Sequence, residues 1–221
     1  MNENIAIPST AQLVQTIVVR PSTHFDTITA VAFASGLALA RADLHADPWQ
    51  SWLAGSFTKS VRRVKRSVDY QRVKLIELPS TEIAVGDAVA LSFEPWERDS
   101  SPKEISRLQV SGLDLIRETS SGSQYSRPGA TRALMPRVEV NADVTMSTGK
   151  TAAQVAHALG AWLLAQTAGK RSAWSEAPGI SMSEISVAAH PYRPDDPSIN
   201  TIIDHGRTEI APGTATVRVV L

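Results

Sequence analysis

The chain has no cysteine. That excludes disulfides and thiolate zinc sites, and it removes any demand for an oxidising compartment. Nor is there an excess of charge of either sign: 22 lysines and arginines face 22 aspartates and glutamates, so the whole chain lacks the basic balance common in nucleic-acid binders. Long apolar runs are missing too. The most membrane-like stretch, Ile28 to Ala40, is too short to span and is diluted by small and polar residues. It also lacks a basic region followed by a cleavage site, so a buried helix in a cytoplasmic protein is the expectation. What is present is ample for a core, since 43% of the 221 residues are hydrophobic, enough for one substantial domain or two small ones.

Charge is unevenly placed. Lys59, Arg62, Arg63, Lys65, Arg66, Arg72 and Lys74 crowd one stretch, opposed only by Asp69. From Trp49 the apolar positions Leu53, Phe57, Val61, Val64 and Val68 recur every three or four residues, which predicts a helix with a cationic side. Upstream, β-branched Thr16 to Val19 predicts a strand, and Ile28 to Ala42 a helix. Arg72 to Leu78 and Asp87 to Phe93 read as strands joined through Glu82 to Gly86. Ser120 to Thr131, rich in Ser, Gly and Pro, reads as a linker or exposed loop. After it Arg137 to Asn141 reads as a strand, Thr151 to Ala165 as a helix, and Ile180 to Ala189, Ile199 to Ile203 and Thr216 to Leu221 as further strands. The expected organisation is therefore residues 1–96, a connecting segment 97–135, and residues 136–221.

An internal echo links the two ends. Thr81-Glu82-Ile83-Ala84-Val85-Gly86 resembles Thr208-Glu209-Ile210-Ala211-Pro212-Gly213, and in the same order Thr27 to Ala34 can be laid on Thr151 to Ala158. A degenerate tandem repeat is one reading, and a chance match of alanine-rich helices the other.

Chemistry concentrates in the second half. Ser147-Thr148-Gly149-Lys150-Thr151 invites a phosphate-loop reading, but that loop needs glycine where Val144 stands, so nucleotide binding is not expected. On the helix that follows, Lys150, Gln154 and His157 share one face, while Val155, Leu159, Trp162 and Leu163 take the other. This face either lines a cleft or is simply solvated, with Thr151 and Gln154 acting as a capping box. His24, His45 and His190 have no partners at metal-ligand spacing and read as surface or locally bonded residues, so no metal or other cofactor is assigned.

The run Gly149-Lys150-Thr151-Ala152-Ala153-Gln154-Val155-Ala156-His157-Ala158 resembles the first-helix signature of type II peptidyl-tRNA hydrolases. Asp204-His205-Gly206-Arg207-Thr208-Glu209-Ile210-Ala211-Pro212-Gly213-Thr214 is similar to that family's closing segment. The resemblance covers Pro136 to Leu221, and the first 96 residues only through the echo. It implies an α/β fold, a three-layer sandwich with a mixed sheet, and metal-independent hydrolysis of the ester joining a peptide to tRNA. Carried over by motif position, Lys150 and Asp204 become the catalytic pair, supported by Thr208, Gln154 and His157, with Gly149, Arg207 and Gly213 on the substrate side.

Departures cut the other way. Asn141 and Thr148 stand where the family usually has basic residues, and His205 and Glu209 replace an alanine and a glutamine. In the aligned first half Asp26, Ala30, Phe33 and Glu77 replace Lys150, Gln154, His157 and Asp204, so that half is expected to be inactive and to stand in for the second subunit of the homodimer common in the family. Arg62, Arg63, Lys65 and Arg66 then either contact RNA phosphates or form a solvated face. A non-catalytic binding protein on the same fold, and a hydrolase of another small ester, are the rival readings.

Overall fold

The structure is a computed structural model that describes residues 12–55, 57–120, 122–186, 196–206 and 209–220. The chain opens with strand β1 (Leu13–Arg20), helix α1 (His24–Arg41), a short helix α2 (Trp49–Ala54) and strand β2 (Thr58–Arg63). Helix α3 (Ser67–Lys74) leads to the hairpin β3 (Ser80–Val85) and β4 (Ala88–Phe93), followed by β5 (Trp96–Glu97) and a single helical turn, α4 (Lys103–Ser106). Strands β6 (Gly122–Ser126) and β7 (Arg137–Asn141), helices α5 (Thr148–Ala165) and α6 (Ala168–Glu176), and strands β8 (Gly179–Ile185), β9 (Ile199–Ile203) and β10 (Ala215–Val220) complete it.

These strands form two mixed sheets on one plan. The first runs β2-β1-β4-β3, with β1 parallel to β2 and antiparallel to β4, and β5 pairing with the start of β1. The second runs β6-β8-β7-β10-β9, with β7 parallel to β8 and antiparallel to β10. Apart from β5 and β6, each strand has a counterpart in the other sheet with the same neighbours in the same sense.

The long helices match as well: each has 18 residues and an N-cap hydroxyl, Thr23 or Ser147, that accepts the backbone N–H three residues on. Laid end to end they share Thr27/Thr151, Val31/Val155, Ala32/Ala156, Ala34/Ala158, Gly36/Gly160 and Leu39/Leu163. Gly86 and Gly213, at φ of 52° and 83°, each stand two residues before a strand, β4 antiparallel to β1 and β10 antiparallel to β7.

Helix α1 lies on the first sheet, α5 on the second, and the two helices pack on each other. One apolar core therefore runs from Ile17, Val19 and Ala90 through both helices to Val138, Val140, Val217 and Val219. The layers are sheet, helices, sheet. Close approach of the helices is allowed by Gly36, where a Cβ would come within 2.9 Å of Leu159 Cδ2 and 3.0 Å of Trp174 Cη2. The first sheet is covered on its outer face also, where Val18, Leu91 and Phe93 pack with Val64, Tyr70, Val73 and Ile105. That is why β1 is buried almost end to end.

Four expectations from the sequence are corrected. The helix from Trp49 stops at Ala54, and Thr58–Arg63 instead fills the parallel edge beside β1, its side chains alternating between faces. Arg72 to Lys74 ends α3 rather than beginning a strand, because Tyr70 and Val73, three apart, turn together into the outer cluster. Thr81 to Val85 is strand, leaving the turn to Gly86 and Asp87. The Ser120 to Thr131 stretch contains β6, an edge strand that needs little apolar pattern because only Tyr125 packs inward, its ring 5.7 Å from that of Phe33. Among the described residues, no helix is long and apolar enough to cross a membrane.

Candidate functional site

Helix α5 starts at Thr148, earlier than its apolar period indicates, because Ser147 caps it: the Ser147 hydroxyl accepts from Lys150 N at 3.3 Å and its carbonyl accepts from Thr151 N at 2.9 Å. Glu209 reaches across from the loop before β10, one carboxylate oxygen accepting from both the amide and the hydroxyl of Ser147, at 3.0 and 2.8 Å. A carboxylate at a helix N-terminus is favoured by the helix dipole. Glu209 thus fastens the closing loop to the helix that carries Lys150.

At the end of β9 the chain turns at Asp204. Its amide donates to Thr214 O and its carbonyl accepts from Gly213 N, both at 2.8 Å, so Gly213 serves to hold the Asp204 backbone. The carboxylate is 5% exposed and takes three donors: Lys150 Nζ and Gln154 Nε2 (2.8 Å) on Oδ2, and Gly206 N (2.8 Å) on Oδ1. Burial pushes this carboxyl upward, but the Lys150 and Gly206 hydrogen bonds and the lysine charge prevail and hold it below the usual aspartate range. Asp204 is therefore ionised at neutral pH. Gln154 must direct its NH2 to that carboxylate, which leaves Oε1 buried without a partner among the described residues.

The three residues placed on α5 by spacing do share a face, but they differ in company. Lys150 and Gln154 converge on Asp204, whereas His157, half-buried one turn further on, meets the Phe57 ring at 5.4 Å, edge to face. Burial first, then the charges of Lys59, Lys150 and His205, hold the His157 imidazole well below its ordinary range, so it is neutral at pH 7. Gly149 donates its N–H to Leu113 O at 2.9 Å and so engages the connecting segment. Arg207 and Thr208 lie outside the described residues.

In the first half Lys59, Arg62 and Arg63 sit on β2 and Lys65 and Arg66 on the bend after it rather than on a helix, only Arg72 and Lys74 being helical, and most of these cations are engaged internally. Arg62 Nη1 donates to the carbonyls of Ile105, Ser106 and Leu108 at 3.1–3.3 Å, and Arg63 Nη2 to Gln109 Oε1 at 2.8 Å. Arg66 forms a two-pronged pair with Asp69 at 2.9 Å. Lys65 is exposed.

Sequence reasoning also misjudged His24, which is fully buried, with Nδ1 2.9 Å from the Thr148 hydroxyl. These are equivalent positions of the two helices, meeting where α1 and α5 begin. At the first-half equivalent of His157, Phe33 is fully buried among Trp174 and Tyr125, both rings 5.7 Å away. The first half consequently has core where the second has polar groups. The Gly206 amide and the Glu209 clamp were missed as well. Only the Asp-x-Gly spacing, typical of an Asx turn, hinted at the former. Among the described residues no cluster of His, Asp and Glu could hold a metal ion. Compared with known proteins, the chain matches no family model and no curated protein sequence.

Proposed function

We propose that the protein is a metal-independent ester hydrolase acting on peptidyl-tRNA, with an inactive first half fused to an active second half as a pseudo-dimer within one chain. The observation that carries this reading is the buried Asp204 carboxylate binding Lys150 and Gln154 together on one helix face. A lysine near a helix N-terminus faces an unfavourable dipole. Asp204 offsets it and aims the ammonium, which can stabilise the charge developing on an ester carbonyl oxygen and supply a proton to the departing hydroxyl. Neutral His157, on the same face, is the acceptor for the proton of an attacking water. The motif resemblance supplies the substrate class.

Lys150→Ala is expected to lower release of N-blocked aminoacyl groups from tRNA by about 100-fold or more, measured with the full chain in chelator. The variant should stay folded, since Asp204 keeps its bonds from Gln154 and Gly206. Undiminished turnover in the folded variant would sink the assignment.

A second reading, hydrolysis of a smaller ester at the same site, is favoured by a separate observation. Arg62, Arg63 and Arg66 are engaged within the chain, and Asn141 binds Ala215 O at 2.7 Å where the family carries positive charge. Turnover of small esters but not of the tRNA ester would select it, whereas turnover of neither would select a non-catalytic binding protein.

A further inference from the structure

Lys59 is a buried lysine without a carboxylate partner among the described residues. It leaves the inner face of β2, and its Nζ lies 4.4 Å from the Trp52 ring centroid and 4.3 Å from that of Phe57. It donates to Gln15 Oε1 at 2.8 Å, an oxygen that also accepts from Ser35 Oγ at 2.7 Å. Two aromatic faces and a fixed amide oxygen form a box that attracts an ammonium by cation–π interaction while denying it a counter-ion, and burial holds the Lys59 amine well below the ordinary lysine range.

The box opens toward the second half. Phe57, at φ 49°, extends its ring over α5 at Gly160, where a Cβ would lie 2.9 Å from Phe57 Cζ, and the same ring abuts His157. The arrangement has a reciprocal. Trp174 of the second half packs on Phe33 of α1, as Phe57 of the first half packs on His157 of α5, and Phe33 and His157 are equivalent positions. Each half covers the other's long helix at the same turn, but only the second half keeps a titratable ring there.

We infer that the candidate site spans both halves: Phe57 and Lys59 of the first half are positioning residues, the Phe57 ring orienting His157 and the Lys59 amine seated over that same ring. This rests on the hydrolase reading only for what His157 does, not for where it is held. The charged and titratable groups facing His157 are Lys59 from β2, Lys150 from its own helix and His205 from the loop after β9. Lys59 is the one of these that the first half supplies. On this account the first half, having lost its own polar set, remains necessary to the site.

The test is an NMR titration of the His157 imidazole in the full chain, assigned with His157→Gln, for the wild type, Lys59→Met and Phe57→Leu. Methionine keeps the length and apolar stem of Lys59 in the aromatic box, and replacing a buried amine that lacks a counter-ion does not threaten folding. Lys59→Gln serves as a second neutral variant. Removal of the Lys59 amine, whose protonated form repels the imidazolium, is expected to move the His157 midpoint upward, and loss of the Phe57 ring to shift the imidazole resonances. Since hydrolysis needs the neutral ring, the acid limb of the pH–rate profile should move up with the midpoint. An unchanged midpoint in both neutral variants overturns the inference, as does a midpoint that moves while the acid limb stays. If no ester is turned over, the hydrolase reading fails and the NMR midpoint alone decides the positioning of His157.

Discussion

At the scale of single residues, the same chemical type has different fates according to what surrounds it. Arg62 and Lys150 are both cations, but Arg62 spends its guanidinium on three backbone carbonyls at the end of α4, while Lys150 shares a buried carboxylate with Gln154. Arg62→Ala should therefore cost about 1–2 kcal/mol of stability by releasing those carbonyls, seen as a lower urea midpoint, and leave turnover per folded molecule unchanged. A selective loss of tRNA affinity with no loss of stability would instead restore Arg62 to the substrate side. Spacing alone could place Lys150, Gln154 and His157 on a face, because helical periodicity is local. It could not show that Asp204, some fifty residues on, lands on two of them and not on the third. Nor could it show that His24 is buried, since its cover comes from the other half.

At the scale of elements, the helix pair is the feature most sensitive to change. Gly36 and Gly160 occupy equivalent turns of α1 and α5, and each is small because a ring or branched side chain from elsewhere presses on it. Gly36→Ala gains helix propensity of about 1 kcal/mol but must displace fully buried Leu159 and Trp174, an overpacking cost of about 1–3 kcal/mol. The expected balance is a destabilised protein, read by chemical denaturation; a stabilised variant would mean that the interface has slack. Elements with strong local periods were legible in the sequence: β7 lies where its pattern puts it, and α1, α5 and β1 each begin a few residues ahead of theirs. Those that failed, β2, α3, β3 and β6, are short pieces whose conformation is decided by the slot they fill. Thr58 to Arg63 carries apolar residues at helical spacing, but the open edge of β1 offers it a ladder of hydrogen bonds.

At the scale of the whole molecule, the two sheets and their helices enclose one core, so acid should act on it as a unit. Burial, with added repulsion from Arg117 at His24 and from Lys59, Lys150 and His205 at His157, holds both imidazoles below the ordinary value of 6.5. Below that pH the unfolded chain takes up protons that the folded one refuses, so stability falls as pH drops from about 6.5 toward the folded values. Denaturant midpoints at about pH 7.5 and about pH 5.5 should differ in that direction, and His157→Gln should flatten the difference. At lower pH Asp204 adds to the loss, because its depressed pKa contributes stability that is present above 3.8 and disappears as the carboxylate is protonated.

By itself the sequence determined the mixed α/β character, the two strand-helix openings, the polar face of α5 and the two motifs that frame the candidate site, because each depends on residues within a few turns of one another. Only the tertiary structure decided which of these residues meet. Asp204 reaches Lys150 because β9 and β10 close over α5, and the start of the basic cluster becomes a strand because β1 has a free edge. His157 faces Phe57 from the first half because two helices with matching glycines can approach closely enough to share a core. Contacts of that kind depend on packing between distant segments, which no local pattern records.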